Sequence, residues 1–365
     1  MQLDGRSVDQ IYEAAAIPEL WPKVLDKLCV IAEAPMAALL TFDERGNYRF
    51  TSTPNFQKYL ETFAERASDY KHRRPERALA TGHPGFLHDL ELFTQDELDS
   101  DLIYRDFVYP SGLKWTAGAV IPTPTADILV FDLSRRQADG PFTRETMLRL
   151  DAYRPHLARA ALLAHRLGLR AARTSTEAMQ TIGLAAAVLT ADGRAISTNA
   201  ALEALVPRIQ CGAFGRLRFL APGAARLFDE ALAKLGQTAS TVTHSIPLPA
   251  EGETPALIVH VIPIRRAAED IFGRAAALLV VTPVTAPRAP MTEVLTGLFD
   301  LTPAEVKIAR GIATGASIDD LAAAHAISRE AVRTQLKSVM QKTGTTRQAE
   351  LVLLLSGTSP FCGLS

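Results

Sequence analysis

Five cationic side chains follow one another at helical spacing near the carboxyl end of the chain. The stretch from Ser328 to Arg347 holds five lysines and arginines and one acidic residue. Arg333 and Lys337 are one helical turn apart, so on an α-helix they project from the same side. Lysine and arginine in such positions bind phosphate oxygens and guanine edges. The pattern therefore predicts a helix that contacts nucleic acid through one basic side.

Three short helices must position this row, and each has a start signal in the sequence. Thr302 and Glu305 form a capping box around a proline in the first turn. Gly315 is suited to end that first helix. Ser317 and Ser328 are N-cap residues for the two helices that follow. These signals predict three consecutive helices separated by short turns, with the basic row on the third.

The third helix also has an apolar side, which consists of Val332, Leu336, Val339 and Thr343. Residues at these spacings share one face of a helix. The break at 325–327 leaves room only for a tight turn. Two short helices joined in this way form a helix-turn-helix unit, whose second helix docks in the major groove of B-DNA. The alternative interpretation is an ordinary helical bundle with a solvated basic face.

The stretch Leu301–Leu355 resembles the C-terminal DNA-binding domain of LuxR-type transcription regulators. The matching residues are Leu301, Thr302, Glu305, Gly315, Ser317, Leu321, Ala322, Ile327, Ser328, Val332, Leu336, Lys342, Gly344 and Arg347. The chain departs from the family pattern at Ile318, His325 and Gln335, where asparagine, leucine and histidine are usual. The resemblance implies an all-α tetrahelical domain.

The resemblance also assigns roles to individual residues. It implies that Arg333 and Lys337 face the groove, and that the last helix, 347–355, forms the dimer contact. The DNA-binding residues that it implies are Arg329, Arg333, Thr334, Lys337, Ser338, Lys342 and Arg347. Double-stranded DNA and a second copy of the chain are therefore the expected partners.

Length and composition limit the remaining choices. With 365 residues, the chain is too long for one ordinary core, so two or three domains are expected. A formal net charge of −1 argues against a protein that coats nucleic acid over its whole surface. The cysteines Cys29, Cys211 and Cys362 show neither metal-ligand spacing nor a pairing pattern, which favours a reducing, cytoplasmic setting. Neither a membrane span nor a signal peptide is evident.

The middle segment, 174–290, resembles a PAS-type sensor domain. The stretch LAAAVLTADGRAISTNAALEALV carries the likeness as a strand, an Asp192-Gly193 turn, a second strand and a helix that starts at Asn199. Three further strand-like runs complete the element order of a small five-stranded sensor sheet. The segment ends in PVTAPRAP, a proline-rich stretch typical of a linker.

PAS sheets commonly hold haem, flavin or small metabolites, but the sequence leaves any cofactor unknown. We find no reactive-cysteine motif of the flavin-binding type. His244 and His260 lie on predicted strands, where a packed or solvated histidine is a simpler interpretation than a haem ligand. Cys211 has no resolving partner and is expected to be inert. No metal site is predicted.

The first segment, 1–173, is predicted to be an α+β sheet flanked by helices, ending in a linker helix. Its stretch YRDFVYPSGLKWTAGAVIP resembles part of autoinducer-binding and GAF-like domains. A family member that binds acyl-homoserine lactone would place aspartate before Pro75. Here that residue is Arg74, so we do not expect that ligand. Five aromatic residues are candidates for lining a ligand pocket, with a core role as the alternative: Tyr59, Tyr70, Tyr104, Phe107 and Trp115.

These patterns predict a multidomain α+β chain. Its expected domains are a GAF-like or autoinducer-domain-like sensor with a linker helix at 1–173, a PAS-like domain at 174–290 and a LuxR-type helix-turn-helix domain at 291–365. The expected function is that of a cytoplasmic, dimeric, DNA-binding transcription regulator. Its sensory domains would bind a small ligand or control dimerisation.

Two alternatives stay open. In the first, a protein partner regulates the transcription factor and no small ligand is involved. In the second, the chain is an enzyme with an appended regulatory module. The second is disfavoured, because the sequence has no nucleophile elbow, metal-ligand spacing or phosphate-binding glycine loop.

Overall fold

The computed structural model describes residues 4–42, 48–66, 70, 72–123, 127–235, 242–252, 254–264, 271–284 and 289–356. The chain divides into two compact units. Unit 1 comprises Met1–Ala172 and Arg265–Ala275, and unit 2 comprises Arg173–Ile264 and Ala276–Ser365. Each unit is therefore assembled from two separate pieces of the chain.

Unit 1 is built on a five-stranded antiparallel sheet. Its strands are β1 (Met36–Phe42), β2 (Tyr48–Ser52), β3 (Leu87–His88), β4 (Leu113–Pro122) and β5 (Ile128–Arg136). They lie in the order β2-β1-β5-β4-β3. Successive side chains of β1 point to opposite faces of the sheet, so they pack alternately into two different hydrophobic cores. Leu39 is buried in one core and Leu40 in the other. Both faces of this sheet are therefore covered.

Helices of unit 1 precede, connect and follow these strands. They are α1 (Gly5–Ala16), α2 (Trp21–Ala32), α3 (Pro54–Arg66), α4 (Arg73–Ala80), α5 (Asp89–Leu92), α6 (Gln95–Ser100) and the long α7 (Arg144–Thr181), which runs on into unit 2. Leu150 and Leu157 of α7 are buried in the same core as Trp21 and Phe131. The first half of α7 thus packs against the body of unit 1.

Unit 2 contains a second five-stranded antiparallel sheet. Its strands are β6 (Ala185–Leu189), β7 (Ala195–Thr198), β10 (His244–Leu248), β11 (Leu257–Pro263) and β12 (Ala277–Pro283). They lie in the order β10-β11-β12-β6-β7. Between them come α8 (Ala200–Glu203), the small hairpin of β8 (Ile209–Cys211) and β9 (Leu217–Phe219), and α9 (Pro222–Leu235). The five strands predicted for the middle segment are confirmed.

Asn199 joins three elements of this part of unit 2. Its buried side chain accepts hydrogen bonds from the backbone N–H groups of Ala186 and Leu202, each at 3.0 Å. The same side chain donates to the carbonyls of Thr176 at 3.1 Å and Leu184 at 2.8 Å. The side-chain amide of Asn199 thus fixes the positions of the end of α7, strand β6 and the start of α8 relative to one another.

A short segment between β11 and β12 belongs to unit 1. Ile271 and Phe272 are buried in the same core as Trp21, and the ring centroids of Trp21 and Phe272 are 5.3 Å apart. Arg49 donates a hydrogen bond to the carbonyl of Gly273. The sequence assigned this segment to the middle domain, whereas its side chains complete the core of unit 1.

The last part of the described chain is helical. Its helices are α10 (Thr292–Phe299), α11 (Pro303–Ala313), α12 (Ile318–His325), α13 (Arg329–Thr343) and α14 (Gln348–Ser356). Their apolar faces share one core that includes Leu295, Val306, Leu321 and Leu351. The three predicted N-caps are confirmed. Helix α10 was not predicted as a separate element, and the predicted linker from Pro283 lies partly outside the described residues.

The architecture is mixed α/β with two five-stranded antiparallel sheets and a two-stranded hairpin, in agreement with the α+β class expected from the sequence. Within the described residues, no helix combines the length and apolar character that crossing a membrane requires.

Candidate functional site

Helix α13 presents Arg333 and Lys337 at the surface. Val332 and Leu336 of the same helix are buried in the core of the C-terminal helices, so the cationic side chains lie on a different side. Arg333 keeps 63% of its side chain exposed and lies 3.6 Å from Glu330. An exposed ion pair of this kind contributes little free energy. The guanidinium therefore stays accessible to a large polyanion.

The turn before α13 sets the direction of that helix. Ala326 closes α12 in the left-handed conformation, with φ of 51°. Ser328 then caps α13 by accepting a hydrogen bond from the backbone N–H of Ala331 at 3.1 Å. Arg329 lies 2.6 Å from Asp319 and so ties the start of α13 to the start of α12. The exposed start of α13 is held by this short turn.

Glu305 connects α11 to the far end of α13. Its Oε2 accepts a hydrogen bond from Nζ of Lys342 at 2.8 Å, and its Oε1 accepts one from the hydroxyl of Ser338 at 2.6 Å. The backbone N–H of Thr302 adds a third at 2.7 Å. These hydrogen bonds, led by that of Lys342, lower the pKa of Glu305 to about 2. Lys342 and Ser338, both predicted to contact DNA, therefore have an internal partner.

The other residues that the sequence predicted to bind DNA are exposed, namely Arg329, Thr334, Lys337 and Arg347. The hydroxyl of Thr334 donates to the carbonyl of Glu330 at 2.9 Å. Arg333 and Lys337 line one surface groove together with Gln341 and Thr346. The structure thus brings the two central cations together, while Ser338 and Lys342 point toward α11.

Unit 1 contains a cavity of about 160 Å³ between its sheet and the helices α3 and α4. We call it the unit-1 cavity. Most of its wall is apolar and comprises Leu40, Phe42, Phe56, Leu60, Phe63, Phe93, Phe107, Val108, Leu113 and Val130. The polar part of the wall includes Arg73, Arg74, Asp101, Thr116, Asp132 and Ser134. An apolar chamber with a few converging polar groups is the usual form of a small-molecule site.

Arg74 lies between two carboxylates at the polar side of this cavity. Its Nη1 is 2.6 Å from Oδ1 of Asp132, and its Nη2 is 2.7 Å from Oδ1 of Asp89. The hydroxyl of Tyr104 also accepts a hydrogen bond from Nη2. Burial raises the pKa of Asp132 to about 6, against the opposing effect of Arg74. Burial also raises the pKa of Asp89.

The five aromatic candidates for a ligand pocket divide into two groups. Tyr59, Tyr104 and Phe107 line the unit-1 cavity. Tyr70 packs behind it, with its ring centroid 5.3 Å from that of Phe107. Trp115 lies elsewhere, since its Nε1 donates to the carbonyl of Gln137 at 3.4 Å. The structure therefore brings three of the five together around one cavity.

His260, one of the two histidines on the second sheet, takes part in ordinary polar contacts. His260 on β11 is hydrogen-bonded through its two ring nitrogens to the hydroxyls of Ser245 at 3.0 Å and Thr282 at 3.1 Å. Neither ring nitrogen is thus left for a haem iron in this arrangement. Within the described part of the chain, no group of three histidine, cysteine, aspartate or glutamate side chains could hold a metal ion.

Comparison with known proteins gives matches among solved structures only. No family model matches the chain, and no curated protein matches it. The VqsR LBD domain from Pseudomonas aeruginosa aligns with 44% of this chain and 95% of its own, at 13% identity and a TM-score of 0.37. SdiA from Escherichia coli aligns with 93% of this chain and 90% of its own, at 11% identity and a TM-score of 0.31.

A third match is VqmA from Vibrio cholerae, a LuxR-type receptor whose structure holds ligand and DNA. It aligns with 51% of this chain and 90% of its own, at 16% identity and a TM-score of 0.22. All three TM-scores lie below 0.5. The functional interpretation therefore rests on the geometry of the chain itself.

The sequence did not point to the carboxylates of the unit-1 cavity. Arg74 was noted only as a basic residue in a position that is acidic in acyl-homoserine lactone receptors. Asp89 and Asp132 reach Arg74 from other elements of unit 1. One signal was present: Asp132 interrupts the apolar strand ILVFDLSRR on the same face as Val130.

Proposed function

We propose that the chain is a dimeric, DNA-binding transcription regulator of the LuxR type, with a small-molecule site in unit 1. The observation that carries this proposal is the exposure of Arg333 and Lys337 on a capped helix whose other side is buried. A helix fits the major groove of B-DNA, where such side chains reach base edges and phosphates. A helix that only filled a core would not need this cationic side.

In this proposal, the domains are a GAF-like sensor at 1–173, a PAS-like sensor at 174–290 and a helix-turn-helix domain at 291–365. The five-stranded sheet β10-β11-β12-β6-β7 with its Asp192-Gly193 turn supports the PAS-like interpretation. Capped helices α11–α13 support the helix-turn-helix interpretation. The proposed location is the cytoplasm.

Helix α14 is the proposed dimer contact. Leu353 is 73% exposed there, while Leu351 and Leu355 are buried in the domain core. This exposed leucine gives α14 an apolar surface that can pack against the same helix of a second copy of the chain. A dimer must contact two DNA half-sites at the same time. The relative position of its two α13 helices therefore controls its affinity for DNA. A ligand in the unit-1 cavity would act by favouring one such arrangement.

Genome-wide mapping of bound DNA in the source organism would give the operator sequence for a direct test. In a gel shift on that operator, Arg333→Ala with Lys337→Ala should weaken binding by about 1–3 kcal/mol for each side chain that contacts a base. Arg226→Ala is the matched control, because Arg226 is an exposed cation on α9 that pairs with Glu230. Unchanged binding by the double variant would remove α13 from the DNA site.

A further inference from the structure

The unit-1 cavity has an unusual balance of charge on its polar side. Two carboxylates, Asp89 and Asp132, share the single guanidinium of Arg74. The other pair in the wall, Arg73 and Asp101, is balanced, with Nη2 and Oδ2 3.2 Å apart. Together with Asp89, which pairs with Arg74 but does not line the cavity, these groups comprise three carboxylates and two guanidinium groups.

The donors of Arg74 are directed at these acidic partners. Nη1 donates to Asp132 and Nη2 donates to the hydroxyl of Tyr104, while Nη2 also forms an ion pair with Oδ1 of Asp89 at 2.7 Å. An incoming carboxylate or phosphate would have to displace one of these oxygens and would add a further negative charge to a site of low dielectric constant. Such a ligand is disfavoured by both effects.

Of the two carboxylates paired with Arg74, Asp132 is the one that a ligand can reach. It belongs to the cavity wall and keeps 15% of its side chain exposed, against 4% for Asp89. A cation beside Asp132 would balance the negative charge of the second carboxylate. Burial raises the pKa of Asp132, because desolvation disfavours the charged carboxylate, and Arg74 opposes this effect.

We propose that the unit-1 cavity binds a small amine whose ammonium group pairs with Asp132 and whose apolar body fills the aromatic wall. This inference rests on the proposed function and specifies the ligand class of the same site. Phe107, Phe56 and Leu60 supply the apolar contacts. The ammonium group of the ligand lies on the side of the cavity next to Arg74, and its charge determines the affinity of the ligand for the cavity.

The size of the cavity limits the apolar body. Its volume is about 160 Å³, and an engineered protein cavity of about 150 Å³ holds one benzene molecule. A body of one aromatic ring or a short branched alkyl group is therefore suitable. A long acyl chain would require the wall to open.

Three probes of matched shape test the charge of the head group: 2-phenylethylamine, 2-phenylethanol and phenylacetate. Isothermal titration calorimetry of the full chain should show that the amine binds at least about tenfold more tightly than the alcohol, with the carboxylate weakest, as charge pairing in a buried site predicts. Equal or tighter binding of phenylacetate overturns the proposal. Absence of amine binding overturns it as well.

Asp132→Asn should reduce the preference for the amine over the alcohol to about twofold or less, because a neutral amide offers no charge to the ammonium group. Asp96→Asn, which changes an exposed carboxylate on α6, should leave the preference as it is. An undiminished preference in Asp132→Asn refutes the assigned site. The comparison of probes on the unaltered chain decides the ligand class even if the Asp132 variant folds poorly.

Failure of this inference is distinguishable from failure of the proposed function. The gel shift with the Arg333 and Lys337 variants needs no ligand, so its result stands independently of the amine series. Loss of DNA binding in those variants together with a preference for phenylacetate would retain the regulator and reject the amine. A preference for the amine together with unchanged DNA binding in those variants would support the amine site and reject the DNA-binding role of α13.

Discussion

Lys342 donates a hydrogen bond from Nζ to Oε2 of Glu305 across 2.8 Å and joins the last turn of α13 to the first turn of α11. Nζ also donates to the carbonyl of Asp300 at 2.8 Å. The ammonium group is thus held by partners within the fold. This arrangement assigns a positioning role to Lys342, because it fixes the end of the helix that carries Arg333 and Lys337.

The first prediction concerns the pH dependence of this contact. The pKa of Glu305 is lowered from 4.5 to about 2. A carboxylate with a lowered pKa stabilises the fold above its unfolded pKa, and this contribution is lost as the pH falls toward the folded value. We expect Glu305→Gln to cost about 1–3 kcal/mol at pH 7, because it weakens three partly buried hydrogen bonds. At pH 2 the cost should be largely gone.

Chemical denaturation followed by circular dichroism at pH 7 and at low pH measures this difference. Glu293→Gln on α10 is the control, since Glu293 is exposed. An equal cost of Glu305→Gln at both pH values would show that the ionised carboxylate is not what stabilises the contact.

The second prediction separates DNA contacts from positioning residues. Lys337→Ala should reduce the slope of log affinity against log salt concentration by about one, as expected for a lost phosphate contact. Lys342→Ala should instead lower the stability of the C-terminal helices with a smaller change in slope, since its ammonium is bound to Glu305. Filter binding across a range of salt concentrations gives both slopes. Equal changes of slope in Lys337→Ala and Lys342→Ala would show that Lys342 also contacts DNA.

The third prediction concerns the close approach of α11 and α12. A Cβ atom on Gly311 would lie 2.2 Å from Cδ2 of Leu321, which is buried. Gly311→Ala should therefore destabilise the C-terminal helices by about 1–3 kcal/mol, the usual cost of overpacking. The same substitution made together with Leu321→Ala should cost less than additivity predicts, because the opposing methyl group is gone. Additive costs in this double-mutant cycle would show that the two residues do not clash.

Local signals in the sequence were sufficient for the C-terminal helices. Thr302, Ser317 and Ser328 each cap a helix as expected, because capping depends on residues within one turn of each other. The same holds for the strand, turn and strand around Asp192-Gly193. These elements are specified by neighbours in the chain, so their positions could be predicted to within a few residues.

The cavity of unit 1 could not be predicted in this way. Arg74, Asp89 and Asp132 come from α4, α5 and β5 and meet only when the sheet is formed. Tyr70 and Trp115 are as aromatic as Phe107, and nothing in the sequence separates residues that line a cavity from residues beside it. The pairing of charges across the fold depends on long-range register, which local patterns do not encode.

The fourth prediction concerns Asp132 in the absence of ligand. Its pKa is raised from 3.8 to about 6, chiefly by burial. A carboxylate with a raised pKa favours the folded state while protonated, and that contribution is lost as the pH rises through the folded value. The stability of Asp132→Asn relative to the unaltered chain should therefore increase by on the order of 2 kcal/mol between pH 4 and pH 7.

Thermal or urea unfolding at several pH values measures this difference, and groups that both chains share cancel in it. The charged and titratable groups that face Asp132 and could respond to its loss are Arg74, Asp89, Tyr104, His72, Arg73 and Asp101. Asp96→Asn should give a flat difference over the same range. A flat difference for Asp132→Asn would mean that Arg74 already balances this carboxylate fully.

The fifth prediction concerns the segment between β11 and β12. Phe272 lies in the core of unit 1, with its ring centroid 5.3 Å from that of Trp21. Phe272→Ala should lower the stability of unit 1 by about 3–5 kcal/mol, because it removes a buried ring and leaves a cavity. Both tryptophans of the chain, Trp21 and Trp115, belong to unit 1, so tryptophan fluorescence during urea unfolding reports on this unit. Phe214→Ala is the matched control, since Phe214 is 87% exposed. If both substitutions left the fluorescence midpoint unchanged, residues 271–272 would not be part of this core in solution.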